Sequence, residues 1–321
     1  MINPKVTTLL SQKDAKFTLI LGSGFHKQAL GQNSILSSWE KLLKQLDSAI
    51  ELSDCYPLDF EQLIIRRAQN QSISTEKASH EIEYLISEEI CFDLKCAQQK
   101  ALKFDKEKYP VGIFNPSYVS DVISVNFDTL ALELCAERAG VEITSLEPIP
   151  FSYKGKKLEG VFFYEVKFSN TQSIRFWFPH GAILDKAKIT LGTRNYAMRL
   201  QNLEKLRGYS KSKETEERKS GNSKTETSWY HQLTHNPVLI LGADISTSEW
   251  DIWFALVNRE RNFAKGSTMD FKYPIFQMRE CELNNKVQSS WFKSLFTGLK
   301  FDQQWSQLEK LMNKQKSNET K

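Results

Sequence analysis

Three short runs in this chain are rich in apolar residues and stop abruptly at a small or polar tip. They are Lys16 to Leu21 before Gly22-Ser23-Gly24, Asp121 to Asn126 ahead of Phe127-Asp128, and Pro237 to Gly242. A strand with no polar face must be covered on both sides, which is the situation of strands in a parallel sheet. Helical patterns lie between the runs. Ser37 to Leu52 places Trp39, Leu42, Leu43, Leu46, Ala49 and Ile50 at amphipathic spacing behind a serine cap. Thr129 to Ala139 reads as a helix stopped by Gly140, and Ser248 to Arg259 as another with Trp250, Trp253, Phe254 and Val257 inward. Strands alternating with helices predict an α/β fold with a Rossmann-like parallel sheet, its ligands at the carboxyl ends of the strands.

Two insertions interrupt that alternation. Residues 58–104 keep a loose helical period through Leu63, Ile64, Ile82, Leu85, Ile86, Ile90 and Leu94, which predicts a helical insertion over 58–109. Gly160 to Phe168 and Ser173 to Phe178 alternate on either side of Ser-Asn-Thr-Gln and predict a β-hairpin insertion that delivers His180 to its end. From 205 to 230 the sequence is mostly Lys, Ser, Glu, Thr, Gly and Asn, the composition expected of a mobile polar loop, and 313–321 reads as a disordered tail. The rest, about 16–57, 110–204 and 236–312, forms a single core.

Composition narrows the partners. With 43 basic and 39 acidic side chains interspersed, no single-signed field is implied, so nucleic acid is not an expected partner. No apolar run approaches the roughly 20 residues of a membrane span, and the polar amino terminus lacks the order of a secretory signal, so a cytoplasmic protein is expected. The five cysteines form no Cys-x-x-Cys pair, which argues for ordinary thiols and against a metal site.

The candidate chemistry sits at the strand ends. Gly22-Ser23-Gly24 allows a sharp turn and the approach of backbone N–H groups to a phosphate, although the third glycine of a dehydrogenase fingerprint is replaced by Lys27. Asn126 and Asp128 follow the second strand, where they can reach ribose hydroxyls or position a water. A helix cap accounts for Asp128 equally well. His180 has the one side chain of Phe178-Pro179-His180-Gly181 able to exchange a proton near neutral pH. Gly242-Ala243-Asp244 repeats the glycine-ended strand, with Asp251 in the helix behind it.

In this order the pieces resemble the SIR2-like (sirtuin-related) family, whose prokaryotic branches include NAD-hydrolysing antiphage defence effectors. Leu19-Ile20-Leu21-Gly22-Ser23-Gly24 resembles the family's first strand and glycine loop, and Ser37 to Leu43 its following helix. Val125-Asn126-Phe127-Asp128 is similar to the Asn-Phe-Asp strand end, Phe178-Pro179-His180-Gly181 to the His-Gly turn, and Leu239-Ile240-Leu241-Gly242 with Asp251 to the late motif. The likeness spans about residues 16–260, in short motifs, without the paired cysteines that hold zinc in protein deacylases. Phe25-His26-Lys27 and Ala243-Asp244 replace the family's usual residues.

The resemblance implies one SIR2-like domain that takes NAD as substrate, uses no metal and hydrolyses the bond to nicotinamide. It implies His180 as base, Asn126 on the ribose or water, Asp128 stabilising charge or holding Asn126, and Gly22, Ser23, Gly24, Gly242 and Asp244 as nucleotide contacts. A defence effector of this kind is expected to be restrained by homo-oligomerisation, a protein partner or a lid, for which residues 58–104 are the candidate. The alternative is a non-catalytic module that binds NAD or an ADP-ribose derivative and regulates a partner. A third is an interaction subunit that binds no nucleotide.

Overall fold

The computed structural model describes residues 1–12, 15–53, 55–70, 75–153, 155–184, 189, 192–220, 227–243, 245, 249–264, 274–278 and 292–314. An eight-stranded sheet of order β3-β4-β5-β2-β1-β6-β7-β8 runs through the chain. The predicted runs supply its centre as β1 (Phe17–Leu21), β2 (Val119–Ser124) and β6 (Val238–Leu241), all parallel. β7 (Ile275–Gln277) and β8 (Phe292–Ser294) continue the parallel ladder on the β6 side. On the other side β5 (Ser173–Trp177) pairs parallel with β2, and β4 (Lys156–Lys167) and β3 (Ile149–Tyr153) close the sheet as an antiparallel meander. The predicted hairpin is therefore part of the main sheet rather than an insertion, because β5 pairs with β2 on one side and β4 with β3 on the other.

Successive residues of the central strands face opposite layers, as the side-chain period of two requires. Leu19, Leu21, Val122, Phe176 and Leu239 enter one core, and Ile20, Ile123, Trp177, Val238 and Ile240 the other. The first layer holds α1 (Pro4–Leu10), α2 (Gly24–Leu30), α3 (Trp39–Leu46), α4 (Tyr56–Asn70), α5 (Thr75–Phe104) and α6 (Leu130–Ala139). The second holds α7 (Gly192–Ser220), α8 (Trp229–His235) and α9 (Trp250–Ala264), and α10 (Phe301–Lys314) returns to the first. The fold is the expected α/β, Rossmann-like arrangement of a sheet between two helical layers. A buried strand carboxylate, Asp121, is matched across β2 and β5 by Arg175 at 2.9 Å and by the Trp177 indole N–H at 2.8 Å.

The predicted mobile loop over 205–230 is corrected by α7, whose helix continues to Ser220. Lys, Glu and Arg are good helix formers, so low hydrophobicity alone does not exclude a helix. Leu203 and Leu206 bury against the hairpin layer, Tyr209 stacks on Tyr153 at 4.4 Å, and the Ser210 hydroxyl lies 2.9 Å from His231 Nδ1. Residues 221–226 lie outside the described residues.

The helix expected over 37–52 is shorter. Ser38 caps it through the Lys41 N–H, and the chain leaves helical geometry at Asp47, with φ −151°. The helical insertion is α4 and α5, tied together by Arg67 and Glu89 at 2.7 Å. α6 ends as expected at Gly140, with φ +72°. α10 reaches residue 314, so the tail expected over 313–321 begins inside a helix and otherwise lies outside the described residues. Among the described residues no helix is long and apolar enough to cross a membrane.

Candidate functional site

The chain passes from β1 to β2 and β5 on one side, then crosses back to β6 on the other. At such a switch point the loops leaving neighbouring strands part and open a crevice at the carboxyl edge. The crevice here holds about 700 Å³, mouth included. Gly22 and Ser23 reach it from β1, Asn126 and Asp128 from β2, His180 from β5, and Ala243 and Glu249 from the β6 side. Its other wall is apolar and comes from Trp39 and, at the far end, Leu94 of α5. The Trp39 ring lies 5.5 Å from that of Phe127.

The glycines that end β1 and β6 are required by each other. A Cβ on Gly22 would stand 2.6 Å from Ala243 Cα, and one on Gly24 2.5 Å from Gly242 Cα. Gly242 itself has φ +62°, where side chains are strained. The Gly22 N–H donates to the Leu241 carbonyl at 3.1 Å and the Gly24 N–H to the Gly242 carbonyl at 2.7 Å. Those amides are thus engaged within the fold. Of the expected phosphate contacts, Gly22 and Ser23 line the crevice and Gly24 is packed behind it. Asp244 lies outside the described residues.

His180 is buried and its ring is gripped at both nitrogens. Nε2 lies 3.0 and 3.2 Å from the two Asp251 oxygens and 3.4 Å from Glu249, and Nδ1 lies 3.4 Å from the Val125 carbonyl. The Tyr196 hydroxyl of α7 approaches Nε2 at 3.2 Å. A carboxylate and a carbonyl are both acceptors, so the ring satisfies them by donating from both nitrogens, as the imidazolium. Burial opposes that charge, but Asp251 and Glu249 outweigh it and raise the His180 pKa to about 9. Burial likewise opposes ionisation of Asp251, and His180 beside it prevails and holds that carboxyl below its usual range. In this arrangement the histidine is a held cation rather than a ready base.

His180, Glu249 and Asp251 also bring one potential metal-ligand atom each within 4.8 Å of the others. The nearby Arg199 guanidinium favours the Asp251 anion. With His180 protonated, imidazolium and guanidinium balance the two carboxylates, and a cation entering there must first displace the His180 proton.

A second buried histidine joins the site from α2. His26 Nε2 is 3.0 Å from Asp128 Oδ2 and 3.4 Å from Asn126 Nδ2, and its Nδ1 is 3.3 Å from the Tyr109 hydroxyl. Donation from Nε2 to Asp128 leaves Nδ1 to accept from Tyr109, and the Asn126 Nδ2, itself a donor, is then a neighbour of Nε2 and not its hydrogen-bond partner. Burial, and then the Asp128 charge, push the Tyr109 phenol well above its usual value, so it keeps its proton. Asp128 Oδ1 meanwhile accepts the Leu130 N–H at 3.1 Å. Asp128, one residue ahead of the Thr129 N-cap, thus holds the first amide of α6 and anchors the turn that carries Asn126.

Sequence reasoning brought Asn126, Asp128 and His180 to one crevice and missed His26, Glu249, Tyr196 and Gln98. His26 sits in a tripeptide that reads only as a departure from a familiar loop. Its signal is its place on the first turn of a helix that must pack on the sheet. Gln98 of α5 accepts the Thr129 N–H at 2.9 Å and so supplies, from another helix, part of the cap that α6 lacks locally. Neither a protein-family model nor a curated protein matches the sequence, and the site is read from its own geometry.

Proposed function

We propose that the crevice takes NAD and hydrolyses the bond between nicotinamide and ribose, as the SIR2-like order of motifs suggests. The observation that carries this reading is the convergence of Asn126 and His180, from two different strand ends, on one crevice at the switch point. As the C1′–N bond breaks, its electron pair leaves with nicotinamide and the ribose carbon becomes cationic. Asn126 orients the ribose or the incoming water, and the water's proton goes to His180. That histidine must first lose its own proton. The positive pyridinium of bound NAD disfavours a second cation nearby and works in that direction. Asp128, fixed by His26 and the Leu130 N–H, acts as a positioning residue for Asn126. An enzyme of this kind depletes NAD, the action of an antiphage defence effector in the cytoplasm, under restraint by oligomerisation or a partner.

Purified protein should consume NAD, and His180→Ala and Asn126→Ala should each lower the rate about 10²- to 10⁴-fold. Unchanged turnover in both variants overturns the assignment. A second reading, a non-catalytic module for NAD or an ADP-ribose derivative, is favoured by the imidazolium state of His180 and by the engaged glycine amides. Nucleotide binding in calorimetry without nicotinamide release would select it.

A further inference from the structure

The outward side of α5 carries a pattern that the crevice does not use. Ile82, Ile86, Ile90, Leu94, Gln98 and Ala101 face the core. At about 100° per residue the opposite side collects Glu81, Leu85, Glu88, Phe92, Gln99 and Lys103 in one narrow stripe. All six are exposed, Phe92 to 68% and Leu85 to 48%. The stripe carries acids at Glu81 and Glu88, apolar side chains at Leu85 and Phe92, and its one base, Lys103, at the carboxyl-terminal end. A free phenylalanine and leucine along a helix facing water are a liability unless something covers them.

We propose that this stripe is the seam of a homodimer, with α5 of one protomer packed antiparallel on α5 of a second copy and the two-fold axis at Phe92. In that register Phe92 meets its own copy, Leu85 meets Gln99, and Glu81 meets Lys103 at both ends of a contact about 33 Å long. A two-fold interface must be complementary to itself, and about Phe92 the charged ends of this stripe are, with Glu88 falling opposite the exposed Cys96. The parallel alternative sets Glu81 on Glu81 and Lys103 on Lys103. The proposal is independent of what the crevice binds, since it uses only residues on the far side of the helix.

Sedimentation equilibrium on the full chain at tens of micromolar tests it. The wild type should have dimer mass, and Phe92→Glu should weaken association at least about tenfold by placing two like charges at the axis. Glu81→Lys alone should weaken it, and Glu81→Lys with Lys103→Glu should regain it, with circular dichroism unchanged throughout. A monomeric wild type overturns the proposal. So does a dimer that Phe92→Glu leaves intact, or a double charge reversal that associates no better than the single one.

Discussion

His26 Nε2 and Asp128 Oδ2 meet at 3.0 Å with both side chains shut off from solvent. The pair joins the helix after β1 to the turn after β2, so two of the loops that form the crevice are fixed to each other by side chains. Replacing His26 with Ala leaves Asp128 and the Tyr109 hydroxyl without that partner in a dry place. The loss should be about 1–3 kcal/mol of stability in urea unfolding. A change near zero would show that the contact holds nothing together.

The His180 cluster makes stability depend on pH in a defined direction. The folded histidine titrates at about 9, above its unfolded value of 6.5, so its contribution is complete below 6.5 and is lost as the pH rises through 9. Asp251, held low, contributes above its unfolded value of 3.8 and loses that contribution as the pH falls through its folded value. Unfolding free energy should therefore fall by about 3 kcal/mol between neutral and strongly alkaline solution. His180→Gln should flatten that limb; a wild type equally stable at pH 7 and 10 contradicts the assignment.

If the crevice is catalytic, the same proton sets the rate. The profile of kcat/KM, which reports the free enzyme, should rise with pH toward about 9, and the kcat profile should reach its plateau at lower pH. A kcat/KM profile that is flat from pH 6 to 9 removes His180 from the role of base.

The glycines give a contrast within one protein. Gly24→Ala drives a methyl into Gly242 backbone and should cost about 1–3 kcal/mol through overpacking. Gly140 has φ +72° and ψ +26° with open space around its would-be Cβ, so Gly140→Ala should cost only the left-handed strain, about 1 kcal/mol. Thermal unfolding of the two variants ranks them, and equal losses would mean that the turns after β1 and β6 do not touch.

The helix α7 is testable by hydrogen exchange. Amides around Leu203 to Ser210, anchored by buried Leu206 and by Tyr209 on Tyr153, should be protected, and Leu206→Ala should cost about 2–5 kcal/mol. Rapid exchange across that stretch would restore the reading as a loop.

The central sheet was legible because β1 and β6 are apolar on both faces and β2 carries Val122-Ile123 in succession. β7 and β8, only three residues each, carry no period long enough to read. α7 was misread because a helix can stay helical on charged residues once one of its turns is docked. At the site, Asn126 and His180 were visible as polar tips on apolar runs. His26 was hidden because its role depends on two partners, Tyr109 and Asp128, that are distant in sequence and come near only when β1 and β2 pair. The glycines were visible, but their purpose was not: close approach between two loops cannot be read from either loop alone.

α5 stands between the crevice and the outside, with Leu94 on one flank and Phe92 on the other. Through Gln98 it also grips the residue that follows Asp128. A ligand touching Leu94 and the second copy proposed on Phe92 would therefore bear on one helix. If each shifts that helix, thermodynamic linkage makes the effect on the two affinities equal in size.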